Sequence, residues 1–282
     1  MLWFGATGQA PWSLSLLLAA GYAAWLALWT LVVVLVSTLA ARGRDALLVL
    51  LTAWAVAVIL VPRWAPDMAN SWVALPTRFE DNIKVQREYL ALGDSHDPKD
   101  PKFAALRDKL LAQYGVTRVE DLPVNYKGVL AVEGERASSA LFNRYADAAF
   151  ARQEKQNAIV DAFGWLSPAL ALRRVSMTAS GTDLATYRRF LEQGERYRYE
   201  LVQGLNRIQA EALRYTDDTN PNKENRVSST HWKAFPEFRY EPGTPADALR
   251  RAAPAGLVLL IWLAAAGALA WLLAGRLGRT VR

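Results

Sequence analysis

The residue types that most often bind metals or carry redox chemistry are scarce in this chain. The two histidines, His96 and His231, lie in separate polar, turn-like stretches, and neither has a second ligand at the spacing that metal sites need. The sequence contains no cysteine, which excludes disulfides, thiolate zinc sites, iron–sulfur clusters and cysteine nucleophiles. We therefore expect no metal site.

Motifs of nucleotide binding and of acyl transfer are also absent from the sequence. It has no Gly-x-x-x-x-Gly-Lys-Ser/Thr loop to hold ATP phosphates and no Gly-x-Ser-x-Gly nucleophile elbow. Acidic residues are plentiful, but a pair such as Glu192 and Arg196 has the spacing of a solvated helix face. Two carboxylates that act on a glycoside are not excluded, although no pair stands out. We predict a protein that is not an enzyme, with no catalytic residue and no cofactor of its own.

Long uncharged stretches form candidate transmembrane helices, and these must position the polar segment between them. Residues 1–41 contain no Asp, Glu, Lys, Arg or His, and a soluble helix rarely stays apolar on every face for so long. Three transmembrane helices are predicted, at Ser13–Leu39, Ala46–Val61 and Pro254–Ala274. The second is short, and it can be extended to Ala65 if Arg63 reaches the headgroups. Pro254 is expected at the first helical position, where proline is favoured.

Arginines predict the orientation of these helices. The loop between the first two carries Arg42 and Arg44, and the C-terminal tail carries Arg276, Arg279 and Arg282. Basic residues beside a span favour the cytoplasmic side of the membrane. The hairpin and the tail are therefore both assigned to the cytoplasm, and this is consistent because the chain crosses the membrane twice between them. The N-terminus and the segment between the second and third spans are then exported. The formal net charge of +6 comes mostly from these arginines, so we predict no nucleic-acid partner.

The predicted fold class is an all-α membrane protein with three transmembrane helices and an exported helical bundle between the second and the third. The predicted layout is a short exported N-terminal tail at 1–12, a transmembrane helix pair with a short cytoplasmic hairpin at 13–65, a periplasmic helical domain at 66–252, a third transmembrane helix at 253–275 and a basic cytoplasmic tail at 276–282.

Helical periodicity runs through most of the exported segment. The predicted helices are a first one that runs to Gly93, a second at Phe103–Tyr114 that Gly115 ends, a long one at Gly128–Phe163, a short one at Ala169–Met177 and a last one from Leu184 to about Tyr215. The turn Ser180–Asp183 is expected to cap the last helix. Beyond it, Trp232, Phe235, Phe238 and Tyr240 are expected to hold an irregular stretch against the domain.

The short helix Ala169–Met177 allows two interpretations. It carries Arg173 and Arg174 among apolar residues, so it could lie in the membrane interface with both arginines at the headgroups. It could equally be a short core helix with two exposed arginines. The sequence leaves both alternatives open.

Two stretches of the exported segment resemble a known family. They are YGVTRVEDLPVNYKG at 114–128 and the more specific LSPALALRRVSMTASGTDLATYRRF at 166–190. Together they are similar to bacterial ABC-2 type permeases that carry a large periplasmic domain of unknown function. The motif positions, which we expect to be structural, are Pro123, Asn125, Gly128, Leu166, Ser167, Pro168, Ser176, Gly181, Thr182, Asp183 and Phe190.

The resemblance implies a membrane subunit of an ATP-driven transporter in the bacterial inner membrane. ATP would be bound by a separate cytoplasmic ABC ATPase, and membrane lipid would surround the spans. The chain resembles the last three spans of a six-span permease half, so a further permease chain or half is expected to supply the missing spans, unless the gene is split or truncated. The alternative function is a three-span membrane anchor, without transport, that presents a helical sensor or scaffold domain in the periplasm.

Overall fold

The computed structural model describes residues 11–220, 222, 227–231, 233 and 235–280, with the side chains at 277–280 left out. Most of the predicted N-terminal tail, Trp232 and Arg282 therefore lie outside the described residues. Within the described part, every regular element is helical, and no strand occurs. The predicted all-helical architecture is confirmed to that extent.

Nine α-helices are described. They are α1 Trp12–Leu39, α2 Gly43–Trp72, α3 Arg78–Ala91, α4 Ala104–Tyr114, α5 Tyr126–Ala162, α6 Pro168–Ala179, α7 Leu184–Ala212, α8 Tyr215–Asp218 and α9 Pro245–Thr280. Short 3₁₀ turns at Pro101–Phe103, Val119–Asp121 and Phe163–Trp165 lie between some of them.

Three of these helices are long and apolar enough to cross a membrane. The candidate spans are α1 with 28 residues, α2 with 30 and the stretch Pro245–Arg276 of α9 with 32. Each exceeds the roughly 20 residues that a bilayer core requires. The three predicted spans are thus present as helices, although the second and third differ from their predicted bounds.

The second span is longer than the sequence indicated because the helix accommodates two prolines. α2 continues past Pro62 and Pro66 to Trp72, although proline lacks an N–H and usually interrupts a helix. A π-helical turn, Ala55–Leu60, precedes the first proline. At the end of this turn the Val61 N–H donates to the carbonyl of Val56. This donor and acceptor have the wider spacing of a π-helix. The wider turn lets the helix pass the proline.

The third span begins earlier than predicted. α9 starts at Pro245, so Pro254 lies inside the helix and not at its first position. The start is marked by Thr244, whose hydroxyl accepts from the Asp247 N–H at 3.2 Å and donates to the Asp247 carboxylate at 2.7 Å. This Thr-Pro-x-Asp pattern is a recognisable N-terminal cap, and it places Arg251 within the helix.

The chain forms two compact units, each discontinuous in sequence. The first unit draws its described residues from Met1–Leu75, Ala151–Arg189 and Pro242–Arg282, and the second is Pro76–Phe150 with Phe190–Glu241. The first unit therefore contains all three candidate spans together with α6. The predicted linear boundaries of the exported domain stay a prediction.

The second unit has a small apolar core beside the start of α5. Its buried members are Phe103, Leu122, Tyr126 and Leu130. α3 begins with a capping box between Thr77 and Glu80. α4 ends at Gly115, which adopts a φ of +66°, so the predicted second helix and its end are confirmed.

Gly128 sets the distance between α5 and α7 in this unit. A Cβ atom at this position would lie 2.3 Å from the backbone nitrogen of Ala210. Because the clash is with backbone and not with a flexible side chain, an added methyl group must push the two helices apart.

We expect Gly128→Ala to lower the free energy of unfolding by about 1–3 kcal/mol, the usual range for overpacking. The matched control is Gly194→Ala in α7, where an added Cβ meets nothing within 4 Å. That change should raise stability by about 0.5–1 kcal/mol, because alanine favours a helix interior over glycine. Thermal unfolding of the full chain in detergent, followed by circular dichroism, measures both. Equal shifts would contradict the close contact at Ala210.

Candidate functional site

The more specific family-like stretch forms a helix that packs among the candidate spans. We call residues 163–183 the α6 segment; it comprises the turn Phe163–Trp165, α6 and the turn that leads to α7. The buried face of α6 consists of Pro168, Leu170, Ala171, Leu172, Val175, Thr178 and Ala179. This face packs against α1 and α9, with Leu28, Val258 and Leu259 in the same apolar cluster.

Small residues allow α6 to approach its neighbours closely. A Cβ atom on Gly21 of α1 would lie 3.2 Å from Cγ1 of Val175. A Cβ atom on Gly164 would lie 3.6 Å from that of Ala171 and 3.8 Å from Val258 of α9. Such contacts between small residues are typical of helices that pack in lipid, where dispersion and not water exclusion drives association.

The N-terminal end of α6 is joined to α2 by a polar contact. Ser167 is fully buried, and its hydroxyl donates to the carbonyl of Ala57, near the middle of α2. In the π-helical spacing the donor for this carbonyl would be residue 62, which is a proline and has no N–H. The hydroxyl of Ser167 therefore satisfies a carbonyl that its own helix cannot satisfy.

The connection before α6 keeps its backbone paired although it is not a regular helix. The N–H groups of Leu166 and Ser167 both donate to the carbonyl of Phe163, at 3.0 and 2.9 Å. The side chains of Trp165 and Leu166 are 54% and 64% exposed. An apolar, internally paired turn at the level of Ala57 fits a lipid surrounding, which tolerates exposed apolar side chains but not unpaired backbone.

The C-terminal end of α6 is closed by a turn that needs glycine. Gly181 has a φ of +69°, a conformation that other residues rarely adopt. The Thr182 N–H donates to the carbonyl of Met177 at 2.9 Å, and the Gly181 N–H donates to that of Thr178 at 3.3 Å. This pattern is a Schellman motif, which pairs the last carbonyls of the helix.

Asp183 links the same turn to α9. It is fully buried, its Oδ1 accepts from the N–H of Thr186 at 3.1 Å and its Oδ2 accepts from Nε of Arg251 at 3.0 Å. Burial opposes ionisation of Asp183, but the hydrogen bonds from Thr186 and Arg251 outweigh it and hold the pKa of this carboxyl below its usual range. The carboxylate thus caps α7 and forms an ion pair with the third candidate span.

The remaining motif positions of the first unit contribute less. Ser176 has a buried hydroxyl without a hydrogen-bond partner in the described part of the chain. Arg173 is exposed, whereas Nε of Arg174 lies 3.4 Å from the carboxylate of Asp161. The buried apolar face of α6 and the exposed Arg173 are what the core-helix alternative expects, whereas the side chain of Arg174 is only 22% exposed. The placement of both arginines at a membrane interface stays a prediction.

The other motif positions lie in the second unit. Asn125 is fully buried: its N–H donates to the carbonyl of Ala210 at 2.7 Å, its amide donates to Asp218 at 3.0 Å, and its Oδ1 accepts from the Lys127 N–H at 3.0 Å. Pro123 is exposed in the preceding turn. Asn125 therefore caps α5 and joins it to the ends of α7 and α8.

Phe190, also in the second unit, contacts two of the aromatic residues that were expected to hold the irregular stretch. Its ring packs edge-on against Tyr240 at a centroid distance of 5.5 Å and against Phe238 at 6.1 Å. Gln193 supports the same contact, because its side chain exchanges hydrogen bonds of 2.8 Å with the backbone of Glu241.

Sequence reasoning missed the partners of the motif residues. Gly21 and Arg251 were not singled out, and the need of the Ala57 carbonyl for a donor in place of Pro62 was not predicted. A signal existed for Arg251, because the Thr244–Asp247 cap extends the third helix outward to include it. No group of three or more His, Cys, Asp or Glu residues suited to a metal ion occurs among the described residues. The contacts described above fix the positions of the helices relative to one another.

Removal of the Ser167 hydroxyl should leave the Ala57 carbonyl unpaired. We expect Ser167→Ala to lower stability by about 1–3 kcal/mol, the range for a buried polar group that loses its partner. In a Pro62→Ala background residue 62 regains an N–H, so the same serine change should have a smaller effect. A double-mutant cycle on unfolding in detergent measures the difference. An equal loss in both backgrounds would show that the proline does not create the need for the hydroxyl.

Replacement of Asp183 by asparagine should retain a cap for α7 but remove the charge that faces Arg251. We expect Asp183→Asn to lower stability by about 1.5–3 kcal/mol at neutral pH, with Glu192→Gln on an exposed helix face as the control. Because the folded pKa is lowered, this stabilisation is present above the unfolded value of about 3.9 and is lost as the pH falls through the folded value. The unfolding temperatures of the unchanged protein and of Asp183→Asn should therefore converge below about pH 4. A difference between them that persists in acid would contradict the ion pair.

Comparison with known proteins gives one match. The family model described as "Domain of unknown function (DUF3526)" matches residues 77–241, which is more than half of the 282 residues. The match includes both motif clusters, around Asn125 in the second unit and in the α6 segment of the first. No curated protein and no solved structure matches the chain. The chain belongs to the DUF3526 family.

Proposed function

We propose that this chain is a membrane (permease) subunit of an ATP-driven ABC-2 type transporter, which moves a substrate with energy from a separate ATP-binding subunit. The observation that carries the proposal is the placement of α6 among the candidate spans. α6 packs on α1 and α9, its first turn is tied to α2 through Ser167, and the turn after it is tied to α9 through Asp183.

This arrangement is more than membrane attachment requires. An anchor needs only an apolar helix of sufficient length, and it has no need for a further helix locked to its spans by buried polar groups. In a transporter, spans move relative to one another, and an element that contacts all of them couples their movements. Fixed helices with discrete contacts are the physical means of such coupling.

The proposed setting is the bacterial inner membrane. Arg42 and Arg44 support a cytoplasmic position for the hairpin between α1 and α2 by the positive-inside bias, and the basic C-terminal tail has the same preference. The N-terminus and the second unit are then periplasmic. These assignments follow from arginine positions and from the resemblance of the motifs to ABC-2 type permeases.

The proposed partners follow from what the sequence does not contain. The chain has no P-loop, so ATP is hydrolysed by a cytoplasmic ABC ATPase that assembles with it. A further permease chain or half adds spans to the pathway. In this proposal the chain is not an enzyme, binds no cofactor of its own and has no nucleic-acid partner.

Copurification tests this proposal. The chain is extracted from native membranes in mild detergent through a C-terminal tag, and its companions are identified by mass spectrometry. We expect a P-loop ATPase and a second membrane chain. Recovery of the chain alone, or with envelope proteins only, would contradict transport and favour the three-span anchor that presents a helical sensor or scaffold domain.

Variants show whether assembly depends on the α6 segment. Gly181→Val places a β-branched residue at a φ of +69°, and Pro168→Trp places a bulky side chain at a buried position. Both should reduce the amount of copurified ATPase severalfold. The control is the exposed pair Glu192→Gln with Arg196→Gln, which should leave it unchanged. Equal effects of all variants would count against a role for the α6 segment.

A further inference from the structure

A cavity of about 160 Å³ lies within the first unit, beside the end of α2. Its walls are formed by α2, by the last turns of α5 and by α6. Pro66, Ala69 and Leu170 provide apolar surface, and Asn157, Arg173 and Arg174 provide polar surface. The volume is well above the roughly 10–15 Å³ that a cavity needs to hold one water molecule, so the cavity has room for a small polar group such as a phosphate.

The cavity carries an excess of positive charge. Asp161 is its acidic residue, and Nε of Arg174 lies 3.4 Å from the Asp161 carboxylate. Burial raises the pKa of Asp161, and the charges of Arg174 and Arg173 oppose that rise. Two guanidinium groups and one carboxylate therefore line the cavity. Among the described lining residues the basic groups exceed the acidic ones by one, so an anionic ligand would meet a net positive charge.

The position of the cavity suits a lipid headgroup. Pro66 and Ala69 belong to the last two turns of α2, which ends at Trp72. The side chains of Trp64 and Trp72 are exposed at this end of the helix, as expected of an aromatic belt at a membrane–water boundary. Gln156 lines the cavity near the C-terminal end of α2, and its amide donates to the carbonyl of Val73 at 2.8 Å.

We propose that this cavity binds the phosphodiester headgroup of an anionic phospholipid. Arginine presents a planar pair of N–H donors that matches phosphate oxygens, and basic pockets beside transmembrane helices are suited to acidic headgroups. Arg173 contacts the phosphate, Arg174 adds charge and the Asn157 side chain adds a polar contact. The apolar wall of Pro66, Ala69 and Leu170 covers the glycerol and the first acyl carbons.

The proposal requires α2 to cross the membrane, and it does not rest on the transport function. A soluble phosphate would use the same arginines, but it would leave the apolar wall uncovered. The two sources share phosphate chemistry, so the test compares them directly. The chain is studied alone, without an ATPase, so the result does not depend on whether the transporter assignment is right.

The experiment uses the purified full chain in detergent and native mass spectrometry, with phosphatidylglycerol, phosphatidylcholine and inorganic phosphate as separate probes. We expect tight retention of phosphatidylglycerol, weaker retention of phosphatidylcholine and no retention of inorganic phosphate. Arg173→Gln should weaken phosphatidylglycerol binding about tenfold, the equivalent of about 1.4 kcal/mol. Arg173→Lys should restore part of the loss, because it returns the charge without the planar pair of donors.

The matched control is Arg63→Gln, which removes the same charge from an exposed site on α2 outside the cavity. It should change binding less than about twofold. Equal losses for Arg63→Gln and Arg173→Gln would mean a diffuse electrostatic attraction and would overturn the site. No loss for Arg173→Gln would overturn it as well. Binding of inorganic phosphate that depends on Arg173, without retention of phosphatidylglycerol, would show that the lipid assignment is wrong.

Discussion

The carbonyl oxygen of Ala57 accepts a hydrogen bond from outside its own helix, and the position of α6 depends on that hydrogen bond. In the π-helical turn the N–H of Val61 is given to Val56, and Pro62 has no N–H to give. In an apolar surrounding, where no water replaces the donor, an unpaired carbonyl is costly. The hydroxyl of Ser167 makes the missing hydrogen bond. A proline in one helix thus leaves an acceptor that is paired by a serine at the start of another helix, 110 residues later.

The opposite end of α6 is held by charge. Asp183 is fully buried and accepts from Arg251, and a buried carboxylate is tolerated only when its lone pairs are used. Apolar packing of α6 on α1 and α9 would permit small shifts along the helix axes, whereas two directional polar contacts permit one register. The polar groups therefore specify position, and the apolar face with its small residues supplies most of the attraction.

The two family motifs perform the same kind of task in different units. The Asn125 cluster joins the start of α5 to the ends of α7 and α8, and Gly128 allows α5 and α7 to approach. The α6 segment joins the candidate spans. Neither cluster presents an activated nucleophile or an acid–base pair. Residues that position helices are suited to transmit movement between them or to shape a ligand site between them.

The sequence by itself determined the helical class, the existence of three candidate spans and the end of α4 at Gly115, because apolar length and local turn chemistry are properties of contiguous residues. The resemblance to a family drew attention to residues around 123–128 and 166–190, and Asn125, Ser167 and Asp183 among them are fully buried and hydrogen-bonded. The passage of α2 through Pro62 and Pro66, the inclusion of Pro254 in α9 and the grouping of α6 with the spans were decided only by the tertiary structure. The reason is that each depends on a partner remote in sequence: the donor for Ala57 is Ser167, and the counter-ion of Asp183 is Arg251. Local propensity cannot reveal a hydrogen bond whose other half is supplied by a distant helix.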